Sequence, residues 1–308
     1  MKKYYPEGTI FESKTNKKAM ETINSLRESF LEGRILEARA MLCDRDHNLH
    51  VDLGVMEGII PREECAVGIS EGEVRDIAII SRVNKPVCFK IISFSEDENG
   101  SKTAILSRRA VQEECAENYI KHLKSGDVID AKVTHNESFG AFCDIGCGIS
   151  ALLPIDSISV SRIPHPDVRF RTNTKIKSVV KSVDELGRVT LTLRELLGTW
   201  EENADNFKAG QTVGGVVRSI ENYGIFIELT PNLAGLAEYT PDVNVGDLAS
   251  VYIKSINPER MKIKLAIVEC FSDKNTPTEL KYYCNEDHID EWQYSPQKSA
   301  KLIKSIFY

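Results

Sequence analysis

Apolar and polar residues alternate over short stretches of this chain, and one such stretch occurs twice. Ser138-Phe139-Gly140-Ala141-Phe142-Cys143-Asp144-Ile145-Gly146 is matched by Asn222-Tyr223-Gly224-Ile225-Phe226-Ile227-Glu228-Leu229, with Phe139 and Tyr223, like Phe142 and Phe226, 84 residues apart. Alternation of this period predicts strands. Ala141, Cys143 and Ile145 then point one way, as do Ile225, Ile227 and Leu229, while Phe142 and Phe226 share the opposite face with Asp144 and Glu228. A ring turned to solvent beside a glycine, which lets another molecule approach the backbone, is what a base-stacking platform requires.

The match extends upstream without a gap, because Leu123-Lys124-Ser125-Gly126-Asp127-Val128 precedes Phe207-Lys208-Ala209-Gly210-Gln211-Thr212 by the same 84 residues. A weaker copy comes first. His47-Asn48-Leu49-His50-Val51-Asp52-Leu53-Gly54 aligns with Phe139 to Gly146 at a spacing of 92 residues, with histidine at both ring positions. The copies then continue as Glu57-Gly58-Ile59-Ile60-Pro61, Ser150-Ala151-Leu152-Leu153-Pro154 and Ala234-Gly235-Leu236-Ala237-Glu238. A period of this length exceeds that of solenoid repeats and suits small whole domains in tandem.

Between the copies the apolar spacing changes to that of a helix. Val111, Cys115, Tyr119 and Leu123 stand at steps of four, and Leu196, Leu197, Trp200, Ala204 and Phe207 form a similar stripe on which Trp200 is read as a packing residue. A further helix is predicted over Lys14 to Phe30, with a loosely ordered tail before it. After Ala266 the strand pattern ends, and Tyr282, Tyr283, Trp292, Tyr294 and Phe307 mark an extension too short to fold alone. It is expected to pack on the third copy; the other reading is that Trp292 and Tyr294 enlarge the stacking surface or that a last helix docks on a partner.

With 308 residues, 42% of them hydrophobic, the chain has room for two to three globular domains. No apolar run approaches the length of a bilayer span, and Met1-Lys2-Lys3-Tyr4-Tyr5-Pro6 lacks an apolar segment, so a soluble, cytoplasmic protein without membrane contact is expected. The eight cysteines are scattered and are read as reduced core residues; Cys143 to Cys147 and Cys284 to His288 lack the spacing of a metal knuckle, so no metal is expected. A net charge of −7 runs against nucleic-acid binding, but the distribution is uneven. Glu63, Glu64, Glu71, Glu73, Glu96, Asp97 and Glu98 crowd the first copy, whereas Arg169, Arg171, Lys175, Lys177, Lys181, Arg188 and Arg194 lie in the second, most of them expected on a solvated face.

Gly126, the Phe139-Gly140-Ala141-Phe142 stretch, Asp144-Ile145-Gly146 and the closing Gly187-Arg188-Val189-Thr190-Leu191-Thr192 together resemble the S-one RNA-binding domain family. The resemblance covers about Gly33 to Ala266. It implies a mainly β protein of three tandem five-stranded OB-fold barrels joined by short α-helices. The expected organisation is a tail and helix at 1–29, a degenerate first domain at 30–108, a linker helix at 109–124, a second domain at 125–195, a linker helix at 196–207, a third domain at 208–268 and the aromatic extension at 269–308. The RNA-binding residues it implies are Phe139, Phe142, Asp184 and Arg188 in the second copy, and Tyr223 and Phe226 with Arg260 or Lys262 in the third. The sequence departs from the family where Pro61, Pro154 and Glu238 replace a histidine, and where the first copy has Lys102-Thr103 in place of an arginine.

No phosphate loop, HExxH motif or nucleophile elbow is present, so neither catalysis nor a cofactor is expected. The resemblance implies a binder of single-stranded RNA, mRNA included, acting in translation and expected to be a monomer, whose first domain either docks on the small ribosomal subunit or is merely degenerate after duplication. Two other roles are open: a scaffold whose exposed rings contact proteins, and an accessory factor in RNA metabolism.

Overall fold

The computed structural model describes residues 3–96, 100, 102–272 and 280–308. Met1 and Lys2 of the predicted tail and Asp97 and Glu98 of the acidic cluster lie outside these residues. The chain divides into two compact units, one of residues 1–123 with 144–150 and one of residues 124–143 with 151–308.

Three closed five-stranded barrels follow one another. The first contains β1 (Leu36–Cys43), β2 (Leu49–Asp52), β3 (Glu57–Ile60), β4 (Pro86–Glu96) and β5 (Lys102–Ser107). The second contains β6 (Val128–Glu137), β7 (Gly140–Asp144), β8 (Ser150–Pro154), β9 (Lys175–Val183) and β10 (Val189–Thr192). The third contains β11 (Thr212–Glu221), β12 (Gly224–Thr230), β13 (Leu233–Ala237), β14 (Leu248–Asn257) and β15 (Lys262–Phe271). Each closes in the same way, with its third and fifth strands paired in parallel: Gly58 with Ala104, Leu152 with Thr190, and Leu236 with Lys264. Closure leaves no unpaired edge, which is how this architecture avoids strand-to-strand aggregation.

The strand phase follows the expected alternation. Ala141, Cys143, Ile225 and Ile227 fill barrel interiors. Leu229 falls out of phase and is half-buried, because the pairing of β12 with β13 shifts register between Glu228 and Thr230.

The helices are shorter than predicted. The stripe over Lys14 to Phe30 is broken into α1 (Lys14–Ala19) and α2 (Ile23–Leu31), since Thr22 caps α2 by a capping box with Ser25. A short α3 (Ile77–Ile80) lies between β3 and β4. The first linker is α4 (Arg109–Asn118) followed by a turn of 3-10 helix at Ile120–His122. In the second, Gly198 takes φ +82 and stops a 3-10 turn at Arg194–Leu197, so that only α5 (Trp200–Ala204) is α-helical. Trp200 is buried, and its backbone N–H donates to Tyr294 O.

The described residues of the predicted tail are not loose. Glu7 is buried and accepts from both Arg108 Nε (2.6 Å) and Nη2 (3.0 Å), from Arg82 Nη1 (3.2 Å) and from the Cys88 N–H (3.1 Å). Although burial opposes its charge, Arg108 and Arg82 hold its carboxyl down to about 2. Glu7, in the segment expected to be loosely ordered, is instead the counter-ion of a buried arginine.

The aromatic extension is also fixed. Trp292, Tyr294 and Phe307 are buried, which removes Trp292 and Tyr294 from any stacking surface. Lys304–Ile306 is not a helix but β17, paired with β16 (Glu291–Gln293). The extension lies largely on the second barrel, where Val128 N–H donates to Asp287 O and Lys177 N–H to Tyr282 Oη, and it reaches the third barrel through Tyr294 Oη on Asn232 O.

Candidate nucleic-acid interface

β6 and β7 meet in a tight hairpin at Glu137 to Gly140, which presents Phe139 at its tip with 54% of its surface exposed. Phe142 follows on the outward face of β7, half-buried, and its carbonyl accepts from Thr134 Oγ1 on β6 (3.0 Å). The two rings meet edge to face, with centroids 6.0 Å apart and planes at 88°. The third barrel repeats the arrangement closely. Tyr223 is 70% exposed, Phe226 is half-buried, and their rings are 6.1 Å apart at 88°. An edge-to-face pair holds one ring upright against the other, so each barrel presents a preorganised aromatic corner.

The glycine between the rings has a different reason from the one expected. A Cβ on Gly140 would come within 2.5 Å of Leu153 O, and one on Gly224 would overlap Ala237 O. The neighbouring strand of the same barrel occupies that space, so the glycine serves barrel closure rather than ligand approach.

Asp144 and Glu228, expected on the solvent face beside the rings, are both buried. Their strand phase is outward, but other elements cover them. Asp144 accepts from the Glu7 N–H (2.7 Å) and from the N–H groups of Gly146 and Gly148, and burial raises its pKa to about 6. Glu228 takes Arg169 Nη1 (2.7 Å) and Nη2 (2.5 Å) on one side and Arg218 Nε (2.9 Å) and Nη2 (3.0 Å) on the other. Burial opposes the Glu228 charge, and the two guanidinium groups outweigh it and hold its carboxyl below the usual range. Arg169 is therefore no part of a solvated basic face.

Asp184 and Arg188 come together in the β9–β10 hairpin. Asp184 Oδ1 accepts from the Leu186 and Arg188 N–H groups, and Oδ2 accepts from Arg188 Nε at 2.6 Å. Hydrogen bonds from the Arg188 backbone and side chain hold the Asp184 carboxyl below its ordinary range. The turn is tight because Gly187 adopts φ +73. Arg188 remains 75% exposed at its side chain, so its other guanidinium nitrogens face solvent. In the third barrel Arg260 and Lys262 occupy the corresponding β14–β15 turn, both exposed, with the Arg260 N–H bonded to Asn257 Oδ1.

Register adds a residue that the motif did not supply. Phe226 pairs with Leu236, and Leu236 with Lys264, so these three side chains form one row across β12, β13 and β15. Lys264 is exposed and shares its face with Lys262. The alternation Lys262-Ile263-Lys264-Leu265 was the available signal.

The first barrel differs at the same positions. His50 stands where Phe142 does, and its two ring nitrogens lie 2.6 Å from Glu57 Oε1 and 3.3 Å from Asp44 Oδ2. Burial lowers its pKa, yet hydrogen bonds to the two carboxylates outweigh that and raise it. The ring edge is thus occupied by acids.

Residues 122–194 match the family model of the S1 RNA binding domain, and the second barrel is a member of that family. Over most of its length the chain is similar to small ribosomal subunit protein bS1 of several bacteria. The homolog from Bacillus cereus is 28% identical over 275 residues, covering 84% of this chain and 69% of its own. The protein from Leuconostoc lactis is 28% identical, covering 78% of this chain and 57% of its own, and that from Staphylococcus aureus 26% identical, covering 92% and 75%. The chain thus spans between 57% and 75% of the length of these relatives. Among the described residues, no helix is long and apolar enough to cross a membrane.

Proposed function

We propose that this protein binds single-stranded RNA, mRNA included, without catalysing a reaction on it, and that it acts in translation at the small ribosomal subunit. The observation that carries this reading is the duplicated aromatic corner: two barrels hold ring pairs of nearly the same separation and the same 88° angle at a solvent-facing hairpin. Bases stack on such rings irrespective of sequence, because every base has a π-face. Arg188 in the second barrel, and Arg260, Lys262 and Lys264 in the third, supply positive charge for phosphates on a chain that is acidic overall. The similarity to small ribosomal subunit proteins supports the place of action. The first barrel, with His50 held between two carboxylates, lacks both the Phe or Tyr ring pair and the arginine of the second barrel, so its role is contact with protein, and docking on the subunit is the form of contact we infer. The chain acts as a monomer in the cytoplasm.

The test is binding of an unstructured, fluorescently labelled RNA oligomer by anisotropy across a salt series. RNA binding through phosphates gives a log–log slope of about −0.7 per contact on single strands. A slope near zero, or absence of binding, refutes the RNA reading and favours protein contact at the rings. Co-sedimentation with small subunits, lost on disruption of the first barrel's surface, tests the docking role.

A further inference from the structure

The loop between β8 and β9 is fastened at both of its flanks to the strands that carry the ring pairs. On one flank, Asn136, three residues before Phe139, donates through Nδ2 to Asp167 Oδ1 (2.8 Å) and Phe170 O (2.9 Å). On the other, Arg169 of the same loop grips Glu228, which lies two residues beyond Phe226 and on the same face of β12. Two residues of a strand span about 6.6 Å, which is the spacing along β12 between the gripped carboxylate and Phe226. The Val160 N–H also donates to Asn232 Oδ1 (2.9 Å) and the Ser161 N–H to Pro231 O (3.3 Å), in the turn between β12 and β13. Asn232 in turn donates to Arg194 O and Gly198 O of the linker, both at 2.8 Å.

The Arg169–Glu228 contact is buried and directional. The Arg169 and Glu228 side chains are 0% and 1% exposed, so breaking the pair would strand a charge out of water. The second and third barrels therefore keep a fixed relation, and the stretch Ser159 to Arg171 forms a bridge from one ring pair to the other. Arg162 stands exposed on that bridge.

Resting on the RNA reading above, we propose that one RNA strand runs from the Phe139–Phe142 corner across the β8–β9 loop to the Tyr223–Phe226 corner, with Arg162 contacting a phosphate between them. The partner is a single strand long enough to occupy both corners at once, and the loop sets that length. A strand held at one corner meets the other at a high effective concentration, because the bridge is rigid.

The full chain is titrated with unstructured RNA oligomers of increasing length, from about 4 to about 24 nucleotides, bracketing the site sizes of one and two OB barrels. Affinity should rise by about a hundredfold or more at one length, the low end of what linking two sites gives. Phe226→Ala should abolish that step while the shortest oligomers lose no more than the statistical factor for one of two sites. Arg162→Ala should leave short oligomers unaffected and reduce the salt slope on long ones by about 0.7. A smooth climb with length, or an equal loss on short and long RNA in Arg162→Ala, overturns the bridge and leaves the RNA reading standing. Absence of binding at every length overturns both.

Discussion

Replacing Phe142 by alanine separates the stacking role of the ring from its contribution to the barrel. The ring is half-buried and outward, and its described ring partner is Phe139, 6.0 Å away edge to face. Losing such an aromatic pair costs the fold about 0.5–1.5 kcal/mol, well short of unfolding a barrel whose interior side chains Ala141 and Cys143 are untouched. Losing a base–ring stack costs about 1–3 kcal/mol of binding, which corresponds to roughly 5- to 150-fold in affinity. Because the two rings touch, Phe139→Ala and the double variant should not be additive, and the coupling in a double-mutant cycle should be of the order of 0.5 kcal/mol or more. Phe142→Leu supplies the control, keeping apolar volume while removing the π-face. Anisotropy with an unstructured oligomer measures binding, and circular dichroism with thermal melts measures the fold. Unchanged affinity in a folded Phe142→Ala refutes the stacking role, and an unfolded Phe142→Ala with a folded Phe139→Ala shows that the ring belongs to the core.

Arg188→Ala should weaken binding to all sequences by a similar factor and flatten the salt slope by about 0.7; a loss that depends on sequence would show that Arg188 reads bases. Glu7→Ala should cost about 3–5 kcal/mol in chemical denaturation, since it leaves Arg108 buried without its counter-ion, and a cost below about 1 kcal/mol would show that the N-terminal segment is dispensable. The His50 pKa is raised in the folded state, so the stability it contributes is complete below the unfolded value of about 6.5 and is lost as pH rises through the folded value. A titration of its ring protons by NMR should give a midpoint above 6.5 that falls in Glu57→Gln. Glu228 is shifted the other way, so its contribution holds above the ordinary carboxylate range and fades as pH falls through its lowered value; Glu228→Gln should remove that acid-side dependence from a urea-denaturation series.

The ring positions were legible in sequence because they rest on period-2 alternation that recurs 84 residues on, a signal that duplication reinforces, whereas the barrels themselves came from the family resemblance of the repeated copies. Helix ends were not, because Thr22 and Gly198 interrupt stripes that look continuous by apolar spacing alone. What escaped altogether was the destination of single charged residues. Glu7, Arg169 and Glu228 have the composition of solvated surface, and each is buried because its partner lies far along the chain, 101 residues away for Glu7 and Arg108 and 59 for Arg169 and Glu228. Pairing at such separations leaves no local pattern. The glycines between the rings were visible, but their cause, the carbonyl of a strand not yet paired in the mind's one-dimensional register, was not.

The same strand position explains how three similar barrels became a series. Asp52, Asp144 and Glu228 each stand two residues beyond the second ring position of their copy. Asp144 receives the N–H of Glu7, from the segment that precedes the first barrel, and Glu228 receives Arg169, from the loop of the second. Among the described residues Asp52 has no such long-range bond; it is exposed and accepts from the Gly54 N–H two residues on. An acid at this position is thus a socket on the ring-bearing face, filled by what comes earlier in the chain. Filling it costs little, because carboxylates bound by N–H groups or guanidinium are satisfied without water. In the third barrel the upstream element is a loop of another RNA-binding barrel, which is the arrangement needed to pass one strand from module to module. In the first barrel the socket is unfilled among the described residues, and the ring positions beside it carry His47 and His50 rather than Phe or Tyr. Substituting Phe at those two positions would therefore not by itself create an RNA site there: Asp44 and Glu57, which now hold His50, would remain as unpaired negative charge against the phosphates.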